Sequence, residues 1–296
     1  MTGIVGQGMT KEPQTLRAVL EAGTAHLQKR GIENPRLACE CLASRLLRCK
    51  RLDLYLQFDR ELSDKQRDAM RRGILRAAAG EPVQYICGEW DFMGHTFRVD
   101  RRALIPRPET EILVEHVLAC AALWEAPPVI LDVGTGSGCI AISLALARPN
   151  AVYLAFDISE EALSLARENA DRLHVSDRVV FATGDLSDLV EPGTLNALVG
   201  NLPYIRADDY ARLDPVVREH EPRTALDGGP DGLAIIRDTI QDAACMLKPE
   251  GRLFLEIGAD QAEAVSGLCR EAGFGNVNVS QDLAGRDRVV SAQLCL

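Results

Sequence analysis

Two short stretches of this chain carry residue types that can do chemistry. One is Asp132-Val133-Gly134-Thr135-Gly136-Ser137-Gly138, a glycine-rich turn at the end of an apolar run. The other is Asn201-Leu202-Pro203-Tyr204, which follows the strand-like run 195–200. An amide nitrogen is a poor nucleophile because its lone pair is delocalised into the carbonyl. A site that accepts a hydrogen bond from each N–H fixes that nitrogen and stabilises the positive charge it develops. The Asn201 side-chain oxygen can accept one, and the backbone carbonyl of Leu202 the other. Pro203 stiffens the turn, and Tyr204 offers a flat surface to a planar group. Alone, the tetrapeptide could equally be a proline turn, since Asn and Pro are standard turn residues. Beside a glycine turn that admits a nucleotide-like ligand, it reads as methyl transfer to a planar amide or amino nitrogen.

Glycine-rich strand-to-helix turns also serve NAD, FAD and phosphates. Three details favour S-adenosylmethionine. The pattern over Gly134, Thr135, Gly136, Ser137 and Gly138 is D-x-G-x-G-x-G rather than G-x-G-x-x-G. The next strand ends in Asp157, where a carboxylate can accept both ribose hydroxyls. The third ends in Gly184-Asp185-Leu186, where Asp185 and the apolar Leu186 could flank adenine. Asn201, at the end of the fourth strand, is expected to border the cofactor as well. The competing readings are ordinary: Asp157 as a helix cap before Ser159, and Asp185 as a turn residue. A sulfonium supplies its own leaving group, so the reaction requires neither a metal nor a covalent intermediate.

The elements that must position these residues fall into three parts. Residues 1–82 are predicted to be a small all-α domain. Leu16, Val19, Leu20, Gly23 and Leu27 recur at helical spacing. Asn34-Pro35 reads as an N-cap followed by proline at the first helical position. Ser63 to Gln66 fits a capping box ahead of a helix that Gly80-Glu81-Pro82 ends. Residues 83–105 are expected to form a β-hairpin linker, with strands around Trp90 and Phe97 split by Met93-Gly94. In 106–296, a helix to about residue 122 precedes alternating strands and helices. Strands are predicted at 129–133, 151–156, 179–183, 195–200 and 252–257, with helices at 137–147, 159–173, 233–247 and 261–272. A closing hairpin is expected at 277–280 and 288–294. This alternation implies a Rossmann-like α/β fold with a mainly parallel, doubly wound sheet and a C-terminal antiparallel hairpin.

Composition narrows the function classes. No apolar run reaches the roughly 18–20 residues a membrane-spanning helix needs. The segment 1–14 lacks a secretory pattern and reads as a short disordered lead-in. Nine cysteines show neither C-x-x-C nor zinc spacing, which favours reduced, mostly buried thiols in a cytoplasmic protein. The formal charge of −10 is uneven. Residues 1–87 hold 15 Lys/Arg against 10 Asp/Glu, whereas the remainder holds 18 against 33. An acidic catalytic half disfavours stable binding to a nucleic-acid backbone. A basic front half could dock an acidic protein or some RNA, or simply be a solvated helical surface. A monomer is expected.

With these segments in view, the chain resembles the HemK/PrmC-type protein-(glutamine-N5) methyltransferases from about residue 15 to its end. Beyond the two motifs, the likeness rests on Pro82-Val83-Gln84-Tyr85-Ile86 with Gly88 and Phe92. It continues with Leu104-Ile105-Pro106-Arg107-Pro108-Glu109-Thr110-Glu111, Glu221-Pro222, Ala225-Leu226, Gly228-Gly229 and Asp231-Gly232-Leu233. The I-P-R-P-E-T-E segment discriminates, because general methyltransferases lack it. The resemblance implies a class I S-adenosylmethionine-dependent domain behind a helical domain that recognises a protein. It implies methylation of the glutamine in the Gly-Gly-Gln loop of class-1 peptide chain release factors. It places the cofactor on Gly134 to Gly138 and Asp157, and the glutamine amide on Asn201 to Tyr204. Arg107 and Glu109 would shape the site. One departure stands out: the family motif is N-P-P-Y, and Leu202 replaces its first proline. N-L-P-Y also resembles the motif of ribosomal-RNA adenine N6-dimethylases. Its geometry suits an exocyclic amine as well as an amide. A ribosomal-protein glutamine is a third possible acceptor, and a non-catalytic cofactor-binding protein a fourth reading.

Overall fold

The computed structural model describes residues 15–295 apart from Asp185. The expected lead-in at 1–14 and the expectation for Asp185 therefore lie outside the described residues. The chain divides into two compact units, one ending at Cys87 and the other starting at Gly88.

The first unit is helical. Helix α1 (Leu16–Lys29) starts at Thr15, whose hydroxyl accepts from the Ala18 N–H, and buries the expected stripe Leu16, Val19, Leu20, Gly23 and Leu27. Helix α2 (Pro35–Leu47) begins at the expected proline. Asn34, however, sits in the left-handed region (φ 50°) and makes no side-chain cap bond, so it turns the chain rather than capping it. A 3₁₀ turn at Arg51–Gln57 follows. Helix α3 (Asp64–Ala78) carries the predicted capping box, with Ser63 and Gln66 bonding reciprocally. Helix α4 (Val83–Cys87) falls where the hairpin segment was expected to begin. Its Val83, Ile86 and Cys87 join the helical core, and that packing outweighs the poor helix propensity of a five-residue segment.

The second unit opens with the expected hairpin, β1 (Glu89–Phe92) and β2 (His95–Arg98). Met93 and Gly94 both have positive φ, as a tight two-residue connection requires. Helix α5 (Pro108–Ala119) follows, ending earlier than anticipated in a 3₁₀ turn. Then come β3 (Val129–Val133), α6 (Cys139–Ala147), β4 (Val152–Phe156), α7 (Glu160–Arg172), β5 (Val179–Ala182), α8 (Leu186–Leu189) and β6 (Leu195–Asn201). Like α8, the short helices α9 (Ala207–Tyr210) and α10 (Pro215–His220) were not foreseen; they precede α11 (Ala234–Met246) and β7 (Leu247–Glu256). The unit closes with α12 (Ala262–Glu271), β8 (Phe274–Gln281) and β9 (Asp287–Leu294).

The seven strands run in the order β5-β4-β3-β6-β7-β9-β8, parallel up to β7, with β9 antiparallel to both its neighbours. One apolar layer joins α5, α6 and the hairpin residues Phe92 and Phe97 to the sheet; a second joins α11 and α12 to its other face. β3 is the central strand from which the chain winds outward in both directions. Ligands of such sheets bind at the carboxyl ends of the strands around that reversal.

All nine cysteines are free, but only Cys39, Cys87, Cys139 and Cys269 are fully buried, and Cys245 and Cys295 are exposed. Burial is thus less general than the sequence reading held. Among the described residues no helix is long and apolar enough to cross a membrane.

Candidate active site

The glycine turn leaves β3 through Gly134 (φ 70°) and Gly136 (φ 57°), conformations that side chains with a Cβ rarely adopt. Two bonds sew this turn to the end of β4. The Thr135 N–H donates to the Phe156 carbonyl (2.9 Å), and the Gly136 N–H donates to Asp157 Oδ2 (2.9 Å). Asp157 Oδ1 accepts from the Ser159 N–H (2.9 Å), while Ser159 itself caps α7. Burial raises the Asp157 carboxyl above its ordinary value, and the Ser159 and Gly136 N–H groups oppose that rise. Gly138 has a different task. It is the left-handed residue before α6 (φ 81°), and a Cβ there would meet Ile142 at 2.7 Å and Ala166 at 3.1 Å. It lets α6 approach α7.

These residues surround a cavity of about 570 Å³, within the range of small-molecule sites. Gly134, Thr135, Gly136 and Ser137 form its floor, with Asp157 and Ile158 beyond β4 and Leu186 at the start of α8. Asn201, Leu202 and Pro203 border the same space from the end of β6. The structure thus brings together most of the residues singled out from sequence. Gly138 and Tyr204 are not part of the wall. Tyr204 is half-buried against the layer formed by α11 and α12, and burial pushes its phenol up to about 12. Leu202 is buried (3% exposed), with Cδ2 only 3.4 Å from where a Gly134 Cβ would stand. Apolar packing holds this position.

The 201–204 turn is braced from behind. Gln261, itself buried, donates through Nε2 to the Tyr204 carbonyl (3.0 Å) and the Gly232 carbonyl (3.2 Å). A Cβ on Gly228 would lie 2.7 Å from the Pro203 carbonyl oxygen, 2.8 Å from that of Gly232 and 2.9 Å from Tyr204 Cα. All three neighbours are backbone and cannot swing away. Gly228→Ala is therefore expected to displace the turn and lower kcat by about 100-fold, the cost of a roughly 1 Å misplacement, while the protein stays folded. Steady-state kinetics beside circular dichroism would check this; near-normal turnover would mean the loop yields.

Several contributors were not legible as functional, and Arg107, expected to shape the site, acts through one of them, Glu221. Thr110, inside the discriminating segment, accepts from Asn201 Nδ2 (3.0 Å) and donates to Glu256 Oε2 (2.7 Å). Arg107 Nη2 donates to Glu221 Oε1 (2.6 Å), and the Ile105 N–H to Glu221 Oε2 (3.2 Å). Glu221 thereby ties the 105–107 strap to the loop beyond α10 at the cavity rim. Asn169 on α7 donates to the Ser137 and Arg98 carbonyls (2.9 and 3.0 Å), joining turn, helix and hairpin. Ile158, 73% exposed at the cavity edge, is an apolar side chain without an apolar cover. Only adjacency to Asp157 could have marked it.

Asp132, one residue before the turn, is buried (1% exposed). Its Oδ2 accepts from the Thr135 hydroxyl (2.6 Å) and the Ala141 N–H (3.1 Å), while Oδ1 has no partner among the described residues. Burial raises its carboxyl from 3.8 to about 7 against those two bonds. An acid raised in the fold keeps a proton that the unfolded chain has released, so its contribution to stability is full below about pH 4 and lost as pH rises through 7. Relative to wild type, Asp132→Asn is expected to gain on the order of 10 °C in Tm between pH 4 and pH 8. Melting curves across that range would show a widening difference; a constant one would mean the carboxyl titrates normally.

The sheet order, the glycine turn and a cavity at the strand ends define this second unit as a methyltransferase. Residues 128–272 match a methyltransferase domain family, and residues 18–88 match the PrmC N-terminal domain. The fold is shared with a methyltransferase from Pyrococcus furiosus (TM-score 0.51, 16% identity, 68% of this chain and 89% of that one). The chain is 41% identical over 288 residues to the release factor glutamine methyltransferase of Geobacter sulfurreducens, covering 97% of this chain and 100% of the relative. It is 43% identical to that of Moorella thermoacetica, covering 93% and 96%. The chain belongs to the release factor glutamine methyltransferase family.

Proposed function

We propose that this enzyme transfers a methyl group from S-adenosylmethionine to the side-chain amide nitrogen of the glutamine in the Gly-Gly-Gln loop of class-1 release factors. The observation that carries the reading is that Asn201, Leu202 and Pro203 border the same cavity as the glycine turn and Asp157. A donor and a planar amide can therefore meet in one cavity.

The cavity fits the donor by size, by its glycine floor and by the carboxylate of Asp157 beside that floor, with Asp227 and Asp238 also on the lining. Asp157 would take the ribose hydroxyls, Ile158 and Leu186 would cover adenine, and the turn at Gly134 to Ser137 would pass close to the amino-acid end. When bound, S-adenosylmethionine supplies an electrophilic methyl group. The chain's own task is to hold the acceptor. Asn201 Oδ1 and the Leu202 carbonyl accept the two amide N–H groups and orient the nitrogen lone pair toward the methyl. The amide gives up one proton on transfer, which passes to water at the open side of the cavity. The helical unit is read as the surface that meets the protein substrate. The enzyme would act in the cytoplasm as a monomer without stable nucleic-acid binding, as the acidic second unit favours.

Leu202 keeps the amine reading alive, because the departure from N-P-P-Y falls at the acceptor site itself. The test is incubation with labelled S-adenosylmethionine and three substrates: a class-1 release factor, its Gly-Gly-Ala variant, and ribosomal RNA. Label on the unmodified factor alone is expected. Label on RNA alone would overturn the proposal in favour of adenine methylation.

A further inference from the structure

We propose that Thr110 and Glu256 are positioning residues that lock the Asn201 amide with its oxygen, and not its nitrogen, facing the substrate. This rests on the reading of Asn201 as an acceptor for the substrate amide. The three residues come from three elements. Asn201 and Glu256 are the paired last residues of β6 and β7, and Thr110 lies in the first turn of α5 above them. Thr110 and Glu256 are buried, at 2% and 1% exposure.

An asparagine amide has nearly the same shape after a half-turn about its last bond, so packing alone does not choose which end faces a ligand. A hydrogen-bond chain of fixed direction does. The Thr110 hydroxyl has one hydrogen, and the ionised Glu256 carboxylate takes it on Oε2 at 2.7 Å; burial raises that carboxyl to about 7, so the direction is fixed above that pH. Only lone pairs then remain on Thr110 Oγ1, and these accept the Asn201 Nδ2 hydrogen at 3.0 Å. In the flipped amide, Oδ1 would face those lone pairs and Nδ2 would face the cavity, presenting a donor to a substrate N–H. In the observed orientation Oδ1 has no protein partner among the described residues. Thr110 and Glu256 never touch the substrate in this scheme; they act through Asn201.

The test is a double-mutant cycle on the full chain, with kcat for release-factor methylation, donor Kd by calorimetry and thermal melting recorded for each protein. Thr110→Val keeps the side-chain shape and removes the hydroxyl. It is expected to lower kcat by about 10- to 100-fold, the range carried by partners that orient a functional group, with donor Kd unchanged. Thr110→Ser, which restores the hydroxyl, is expected to recover most of that loss. In an Asn201→Ala background, Thr110→Val is expected to cost nothing further. An equal cost in both backgrounds, or equal losses from Thr110→Val and Thr110→Ser, would overturn the positioning role while leaving the Asn201 assignment intact. Full turnover by Asn201→Ala would overturn both. Should Thr110→Val fail to fold, Thr110→Ala serves the same cycle, since it lacks the hydroxyl and leaves only a small void.

Discussion

Replacing Asn201 with alanine is expected to lower kcat for release-factor methylation by about 100- to 1,000-fold, the size of effect seen when one preorganised hydrogen-bonding group is removed from a reaction centre. The side chain lies on the cavity wall at the end of β6, and its nitrogen is already engaged by Thr110. The loss should therefore fall on orientation of the acceptor nitrogen. Donor affinity should change less than turnover, because Asn201 only borders the donor, whose other proposed contacts at Gly134 to Ser137, Asp157 and Leu186 belong to other strand ends. Single-turnover methylation paired with calorimetric titration of S-adenosylmethionine separates the two effects. Normal turnover would remove Asn201 from the reaction. A proportional loss of donor affinity would recast it as a cofactor residue.

Asp157→Ala is expected to do the opposite. A carboxylate that accepts two hydroxyls makes two charge-assisted bonds worth roughly 1.5–3 kcal/mol each, and water recovers part of that on truncation. The same change strands the Gly136 and Ser159 N–H groups, which now end on this carboxylate. Donor Kd should rise about 100-fold, with affinity for the protein substrate unchanged. Titrating each ligand separately against the variant provides the measurement, and an unaltered donor Kd would defeat the ribose assignment.

The two motifs were readable because each is local. The glycines of 134–138 and the turn 201–204 announce themselves within a few residues, and strand-helix alternation places them at adjacent strand ends without any coordinates. The contributors that escaped notice act across the chain. Thr110 reaches Glu256 from 146 positions away, and Asn169 reaches Arg98 from 71. Nothing in the local pattern around Asn169 or Gln261 distinguishes them from solvent-facing polar residues until tertiary packing buries them. Gly138 shows the converse. It belongs to the motif by spacing, yet its absent side chain makes room for Ala166 on α7 and not for a ligand. Asn34 was placed correctly by its neighbour proline, but the left-handed backbone there denies it the bond that an asparagine at a helix start usually makes.

The orientation of the Asn201 amide also bears on how many times the enzyme can act on one nitrogen. In the proposed arrangement, with Nδ2 committed to Thr110, the two groups that would hold the amide nitrogen, Oδ1 and the Leu202 carbonyl, are both acceptors, and so they count hydrogens. A primary amide brings two and satisfies both. After one transfer the nitrogen carries a single hydrogen, and its methyl group faces a carbonyl oxygen that wants a donor. The product is thus held less well than the substrate at the very atoms that align it. On this reading the chemistry stops at one methyl, and the modified glutamine is released without a separate step to expel it.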